Sequence, residues 1–391
     1  GRQSPKRSKF DEVIDCSGLF ALPGFVDSHL HLFSLAAFNA GYDLSHVSGT
    51  TRSKFQSILK MAKETFDKQE GWHRFYGLDS FDLSISKYLD RHFLDELFPE
   101  DPVIIHFKSG HGALLNSLAL RLIDLSETTD EPPGTTFIRD LEDGLLTGVI
   151  LEGEELLGAK IPSIPIAQLM QSLGKVFEDT SSKGITTLVD ASRNNNVSKI
   201  EMLSEFLSSR PLSPHVVMMP GMSDLSRFPR EVGCYSDVYR KVAIGHVKIM
   251  LTASSGHIFP SEEDLLSSIR KAHSLGFPVA IHAVENECVS IAISALENDF
   301  ISGDRIEHAS ELVDKNIKDI AAVGIQISTQ PGLITENGER YLQNTVDPSI
   351  LYRLESLRKH GITIGFSSDA PFSQADPMEW ISAATGRNVS G

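Results

Sequence analysis

The sequence has few of the features that mark secreted, membrane-spanning or nucleic-acid-binding proteins. Its 391 residues include three cysteines, an odd number that excludes a fully paired disulfide framework. No apolar run approaches the length of about 18 residues that a membrane span requires, and no secretory hydrophobic segment follows the opening GRQSPKRSKF. The formal net charge of −16 disfavours nucleic acid and anionic membrane surfaces as partners. These absences predict a cytoplasmic protein in a reducing compartment.

What remains is the composition of a large globular protein. Hydrophobic residues make up 41% of the chain and charged residues 23%, which suits one large α/β domain or two smaller ones. The sequence begins without Met and stops at TGRNVSG, directly after a helix-like segment. We therefore expect a chain whose two ends have been shortened.

From residue 184 onward, short β-branched segments alternate with amphipathic ones, the pattern of βα units and a parallel sheet. GFVDSHLHL near the start adds one more strand, which makes eight, the number that closes a (β/α)8 TIM-type barrel. Residues 72–160 break the alternation, so we interpret them as an insertion after strand 1 of a barrel that extends over 21–391. The strand-like segments after residue 184 are 184–192, 214–220, 245–251, 277–284, 305–310, 324–331 and 361–371.

Side chains that can bind a metal stand at the ends of these predicted strands. His29 and His31 lie two residues apart on the first strand, so both rings project from one face. Barrel active sites gather at the carboxyl ends of the strands. Two histidines alone are equally consistent with ordinary core or surface residues, but convergence from five strands favours a metal centre. The other candidates, on strands four, five, six and eight, are Lys248, His282, His308 and Asp369.

Imidazole and carboxylate ligands suit one or two divalent ions, zinc above all. Such an ion lowers the pKa of water from about 15.7 to about 7, and Asp369 beside it is the predicted general base. Lys248, if burial keeps it neutral, can react with carbon dioxide to form a carbamate that bridges two metals. The alternative for Lys248 is a neutral or salt-bridged lysine at the barrel rim.

These motifs resemble those of the metal-dependent amidohydrolase superfamily. LPGFVDSHLHL, VKIM, VAIHAV, RIEHAS and GFSSDAP are similar to its H-x-H, lysine, histidine, histidine and aspartate signatures. GHGALLNSLAL and LTGVILEGE resemble segments of the YtcJ-like branch, which includes N-substituted formamide deformylases. The resemblance implies hydrolysis of a C–N bond in an amide, an N-formyl group or a cyclic amide by metal-activated hydroxide, with a small-molecule substrate.

The same resemblance implies further features of the protein. Residues 1–20 would be the tail of a small β-sandwich formed by both termini, and a homodimer is the family-level expectation. His111 lies in the segment similar to the branch's substrate loop and is a candidate substrate contact, although it could equally cap that loop, and Asn116 could equally cap a helix. Gln330, at the end of strand seven, is a second candidate contact, although a polar strand end needs no special purpose.

Two alternative functions remain open. HAVEN stands where the branch has H-A-x-G-D, and its His282-x-x-Glu285 pair resembles that of one-metal deaminases. Glu285 would then be a proton shuttle or substrate contact in a deaminase of an aminated ring; a structural alternative is interaction with a helix dipole. The second alternative is a non-catalytic barrel homologue that has lost the chemistry.

Overall fold

The computed structural model describes residues 15–80, 82–132, 134–228, 242–253, 257–344 and 347–387. Cys234 and residues 1–14 of the predicted β-sandwich tail lie outside the described residues. Cys16 is exposed and Cys288 is buried, and both are free thiols. Among the described residues, no helix is both long and apolar enough to cross a membrane.

Strands and helices alternate along the described chain. The strands are β1 (Phe25–Leu30), β2 (Tyr42–Asp43), β3 (His73–Leu78), β4 (Val103–Phe107), β5 (Gly112–Leu115), β6 (Thr136–Arg139), β7 (Leu146–Leu151), β8 (Ile185–Asp190), β9 (His215–Met218), β10 (Val242–Ile244), β11 (Val247–Met250), β12 (Val279–Ala283), β13 (Arg305–His308), β14 (Gln326–Thr329) and β15 (Ile364–Phe366). The helices are α1 (Leu32–Ala40), α2 (Arg52–Thr65), α3 (Leu83–Ser86), α4 (Arg91–Leu97), α5 (Ser117–Leu122), α6 (Glu154–Lys160), α7 (Ile166–Ser182), α8 (Val197–Ser208), α9 (Glu262–Ser274), α10 (Asn286–Asn298), α11 (Asp314–Val323), α12 (Gly332–Asn344), α13 (Leu354–Lys359) and α14 (Pro377–Gly386).

Two sheets with only parallel pairings carry the strands that the sequence predicts. One has the order β1-β8-β9-β10 and the other the order β11-β12-β13-β14-β15. Each of the eight predicted segments contains a strand, and β10 is an additional short one. The α/β alternation predicted from the hydrophobic pattern is therefore confirmed.

Main-chain hydrogen bonds bring the first strand beside the segment that follows the last. The amide of His31 donates to the carbonyl of Ala370 at 2.8 Å, and the amide of Asp369 donates to the carbonyl of His29 at 2.8 Å. Lower on β1, the hydroxyl of Ser28 donates to the carbonyl of Phe366 at 3.0 Å. The carboxyl end of β1 and residue 369 are thus held in one place by the backbone itself.

Helix α9 shows how local sequence sets these elements. Its N-cap Ser261 accepts a hydrogen bond from the amide of Asp264, and acidic side chains fill its first turn, where the helix dipole favours them. Leu265, Ile269 and Ala272 recur at helical spacing and are buried. Gly276 then adopts a φ of +84°, which glycine tolerates best, and the chain turns into β12. The cap and the closing glycine thus set the two ends of the helix, and the buried face sets its orientation.

A separate mixed sheet, with the order β2-β3-β4-β5-β7-β6, occupies the region between β1 and β8. Its first strands pair in parallel, and its last four pair antiparallel. Phe55, Phe75 and Phe93 are buried in a hydrophobic cluster on this sheet, distinct from the main cluster around the parallel strands. The sheet contains most of the predicted insertion at 72–160 and also includes β2, which precedes it.

Candidate metal centre

Three predicted ligands meet where β1 ends beside residue 369. Nε2 of His31 lies 3.2 Å from Oδ1 of Asp369, and Nε2 of His29 lies 3.4 Å from the same oxygen. One donor atom from each of the three residues lies within 4.8 Å of the other two. His29 is fully buried, Asp369 is 8% exposed, and His31 is partly exposed, so the group opens toward solvent on one side.

The donor set fits a divalent metal. Two ligands at 2.0–2.2 Å from a tetrahedral zinc are separated by about 3.4 Å, close to the observed separations of Oδ1 from the two nitrogens. Oδ1 of Asp369 is buried and makes no hydrogen bond among the described residues. A buried, unpaired carboxylate oxygen is costly unless a cation satisfies it. His29, His31 and Asp369 are therefore the residues best placed to hold one.

Asp369 is held in its charged form. Burial by itself would raise its pKa, but the side-chain contact with His31 is the leading influence that holds that pKa well below its usual range. Its backbone has a φ of +58°, a left-handed conformation that a non-glycine residue adopts only when its surroundings impose it. The bond from its amide to the carbonyl of His29 is one such constraint. The carboxylate is thus ionised and fixed in position.

A different partner contacts the Nδ1 atom of each of three histidines. Nδ1 of His29 contacts a carboxylate oxygen of Glu307, a fully buried residue on β13. Nδ1 of His31 lies 3.2 Å from the hydroxyl of Ser192, which donates to Asp190. For His29 and His31, Nε2 is then the atom directed at Asp369. A histidine that ligates a metal through one nitrogen typically has its other nitrogen anchored in this way.

The third anchored histidine is His308, at the end of β13. Its Nδ1 lies 2.9 Å from Oε1 of Gln330, and the amide of Gln330 donates to the hydroxyl of Ser367 at 2.9 Å. The His308 ring is 4.9 Å from that of His29, and its Nδ1 lies 3.9 Å from Oδ2 of Asp369. Gln330 is fully buried, so its described contacts are with the protein rather than with an open pocket.

His282 and Lys248 complete the group around this centre. The His282 ring lies 4.4 Å from the His308 ring, centroid to centroid. Nζ of Lys248 is 3.3 Å from Nε2 of His29. Burial lowers the pKa of Lys248 to about 8, although the carboxylates of Glu307 and Asp369 oppose that shift. Burial also holds the pKa values of His29 and His282 well below their usual range, so both rings are neutral near pH 7.

His111 stands at the edge of the site, on the loop between β4 and β5. Its Nδ1 pairs with a carboxylate oxygen of Glu152 at 2.9 Å, and this contact is the leading cause of a raised pKa for His111. Phe372 packs against the ring of His31 at 5.5 Å. Gly110 closely approaches Phe372, because a Cβ on that glycine would lie 2.3 Å from the aromatic ring. The loop that carries His111 therefore lies next to the candidate ligands, but His111 itself is not one of them.

Two further predicted residues have structural contacts. Glu285 is the N-cap residue of α10, and its carboxylate interacts with the thiol of Cys288, whose pKa burial raises to about 12. Asn116 is fully buried and caps α5 by accepting from the amide of Ala119. Its side-chain amide also donates to the carbonyls of Phe98 and Asp101. The capping alternative for Asn116 agrees with this geometry.

Two of the three residues that anchor the histidines, Glu307 and Ser192, are not among the residues predicted from the sequence. Glu307 is nevertheless the residue directly before His308 in RIEHAS. The signal that could have found it is the pair of charged residues, Arg305 and Glu307, on a predicted strand of a parallel sheet, since such strands are usually buried. Asp27 is a further residue near the site that is not among the predicted ones. It is fully buried and accepts hydrogen bonds from the amide and the hydroxyl of Ser368, next to Asp369.

Comparison with known proteins identifies the family. The amidohydrolase family profile matches residues 12–391, and the chain belongs to this family. YtcJ of Bacillus subtilis (strain 168), whose name describes it as an amidohydrolase, is 26% identical over 407 residues, covering 97% of this chain and 75% of that protein. The N-substituted formamide deformylase of Arthrobacter pascens is 24% identical over 412 residues, covering 97% and 76%. The YtcJ-like resemblance read from the motifs is confirmed.

Solved structures agree with the α/β fold. A protein of Pyrococcus horikoshii OT3, described as an uncharacterized metal-dependent hydrolase, superposes with a TM-score of 0.72 at 22% identity, covering 93% of this chain and 74% of that one. Its counterpart from Pyrococcus furiosus gives a TM-score of 0.70 at 24% identity, covering 94% and 77%. At these identities the likeness concerns the fold alone.

Proposed function

We propose that this protein is a metal-dependent hydrolase that cleaves the C–N bond of an amide, an N-formyl group or a cyclic amide. The observation that carries the proposal is the meeting of His29, His31 and Asp369, which leaves a buried carboxylate oxygen facing two imidazole nitrogens. The similarity to an N-substituted formamide deformylase supports the N-formyl alternative. Cytoplasmic location and a homodimer stay predictions.

We also propose that the two parallel sheets form one (β/α)8 barrel. The hydrogen bonds that join β1 to the segment after β15 support closure at that edge. A bridge between Gly221 and Lys248 supports continuity between the sheets at the other edge. In this arrangement residues 72–160 are the insertion, 21–391 the barrel domain and 1–20 the tail of a terminal β-sandwich.

In the proposed centre, His29, His31 and Asp369 hold one divalent ion, with zinc favoured by the nitrogen-rich donor set. His282, His308 and Lys248 are the further ligands. The bound ion supplies a Lewis acid that polarises the substrate carbonyl and makes a nearby water more acidic. The neutral state that burial imposes on His29 and His282 supports their role, because only the unprotonated imidazole has a lone pair to offer.

Asp369 performs the proton transfers in this proposal. Its carboxylate is ionised, so it can take a proton from the attacking water and pass it to the departing nitrogen. Its fixed backbone and the contacts of Oδ1 with His29 and His31 hold the whole carboxylate, and with it the accepting oxygen, in one position. Replacing the oxygen by an amide nitrogen removes the acceptor while retaining the shape.

Lys248 is proposed to react with carbon dioxide. A pKa of about 8 leaves a useful fraction of neutral amine near pH 7. Addition of that amine to carbon dioxide forms an N–C bond and releases a proton, giving a carbamate anion within the ligand group. Lys248→Ala separates this proposal from the one-metal deaminase with Glu285 as shuttle: it should abolish hydrolysis in the first case and have a far milder effect in the second.

The test measures the turnover of a panel of N-formyl amines, linear amides and cyclic amides by zinc-loaded protein. Turnover is detected as the release of formate, carboxylate or ammonia. Asp369→Asn should lower kcat by roughly 10²–10⁴-fold, the usual contribution of a general acid–base residue. His92→Asn, a change on the exposed face of α4, is the matched control and should keep full activity. Equal turnover by wild type and Asp369→Asn would contradict the proposal.

A further inference from the structure

We infer that Glu307 is a positioning residue that holds His29 in the tautomer and orientation needed to bind a metal. The inference rests on the proposed metal centre but concerns a residue outside the predicted ligand set. Glu307 belongs to β13 and points at a residue of β1, 278 positions earlier in the chain. Neither residue has any exposed side-chain surface.

Both carboxylate oxygens of Glu307 have a partner. One contacts Nδ1 of His29, and the other accepts from Nε of Arg305 at 2.5 Å. Arg305 also donates to the carbonyl of Ser28 at 2.9 Å. The guanidinium therefore joins β13 to the residue directly before His29, and its charge compensates that of the buried carboxylate. These contacts fix the orientation of the Glu307 carboxylate.

The chemical nature of the partner distinguishes His29 from the other anchored histidines. An ionised carboxylate only accepts hydrogen bonds, so Nδ1 of His29 must carry the proton and Nε2 must offer its lone pair. Ser192 gives its one hydroxyl proton to Asp190, and Gln330 presents its amide oxygen to His308, so these two partners also accept from Nδ1. Both of them are neutral groups, whereas Glu307 is a carboxylate paired with Arg305. Glu307 is therefore the only charged partner among the three, and a charged acceptor holds the Nδ1 proton more strongly than a neutral one.

The alternative is a buried ion pair that contributes only to stability. Asp304, directly before β13, provides a matched control for this alternative. It is also fully buried and also contacts a histidine, since its Oδ1 lies 3.1 Å from Nε2 of His273. His273 contacts Asp299 through its other nitrogen and is not among the proposed ligands. Glu307→Gln and Asp304→Asn each remove one buried carboxylate beside a histidine, but only the first touches the proposed centre.

The experiment measures zinc affinity by chelator competition, with the thermal unfolding of each metal-free protein recorded in parallel. Glu307→Gln should weaken zinc binding by roughly 10- to 100-fold, as is usual for groups that anchor a ligating histidine. Asp304→Asn should lower the unfolding temperature and leave zinc affinity unchanged. Unchanged affinity in Glu307→Gln, with wild type still binding zinc, would overturn the inference alone. Wild type that binds no metal would instead overturn the proposed function.

If Glu307→Gln does not fold, the tautomer in metal-free wild type decides the matter. Nitrogen-15 NMR of histidine-labelled protein, with the His29 signal assigned by its loss in His29→Gln, distinguishes the two neutral tautomers. The inference requires the proton on Nδ1 of His29. A proton on Nε2 would overturn it.

Discussion

At the scale of single residues, the site depends on what surrounds each histidine rather than on the histidines alone. His29 contacts a carboxylate, His31 a hydroxyl and His308 an amide, each through Nδ1. Burial lowers the pKa of His308 as it does that of His29, so both rings remain unprotonated near neutral pH. Burial thus keeps the rings of His29 and His308 neutral, while three different neighbours orient the three imidazoles.

Gln330 provides a test of this view. If Gln330 anchors His308, then Gln330→Leu leaves Nδ1 of His308 without its partner, and zinc affinity should fall by roughly tenfold. If Gln330 is instead a substrate contact, as its strand-end position suggested, KM should rise while zinc affinity stays the same. Chelator competition and steady-state kinetics on one preparation distinguish the two outcomes. We expect the first, because Gln330 is fully buried.

The sequence indicates the candidate ligands more readily than the residues that anchor them, and the reason is physical. His29 and His31 are recognisable from local spacing, because a strand repeats every two residues. The contact between His29 and Glu307 joins residues 278 positions apart and depends on which side of each strand faces its neighbour. Spacing within one strand contains no information about such a pairing.

At the scale of helices and strands, Asn116 has a structural role, although it lies in the segment that resembles a substrate-loop motif. Asn116 begins α5 and also holds the turn before β4, because its Oδ1 accepts from the amide of Val103 at 3.1 Å. Its amide nitrogen donates hydrogen bonds to two carbonyl groups of the segment after α4. The side chain thus joins three neighbouring segments of the mixed sheet region.

Asn116→Ala should therefore destabilise the protein without altering catalysis. Loss of the cap and of buried hydrogen bonds should lower the free energy of unfolding by about 1–3 kcal/mol. Urea unfolding gives that change, and KM for any substrate found should match that of wild type. A large rise in KM with unchanged stability would show that Asn116 contacts substrate instead.

The hydrophobic pattern of the sequence predicts the longer parallel strands and leaves the shortest strands undetected. The eight predicted segments contain strands because each is a β-branched run bounded by turn residues. β2 spans Tyr42–Asp43 only, and a two-residue strand has no periodicity to detect. β10 was missed for a related reason, since it is a three-residue strand that precedes β11 closely.

At the scale of the whole molecule, a half-buried histidine outside the site, His106, makes stability depend on pH. Burial, assisted by the charge of Arg74, lowers the pKa of His106 to about 4 in the folded protein, against about 6.5 in an unfolded chain. The ring stacks on Tyr76 at 4.7 Å. Between these two pKa values the unfolded chain binds a proton that the folded protein does not, so folding loses stability as pH falls.

The expected loss attributable to His106 is up to about 3 kcal/mol between pH 6.5 and pH 4. His106→Gln cannot titrate and should show a shallower decline of unfolding free energy over that interval. His92→Gln, at an exposed position, should keep the wild-type slope. Denaturant unfolding at several pH values checks this, and identical slopes for wild type and His106→Gln would refute it.

The end of β1 and residue 369 together form the proposed metal centre, on which the proposed function depends. The most direct test is elemental analysis of metal per chain after dialysis against zinc without chelator, for wild type and for His31→Ala. We expect one or two zinc ions in wild type and a clear loss of zinc in the folded variant, since Nε2 of His31 lies 3.2 Å from Oδ1 of Asp369. Wild type without metal, or His31→Ala with undiminished zinc, would contradict it.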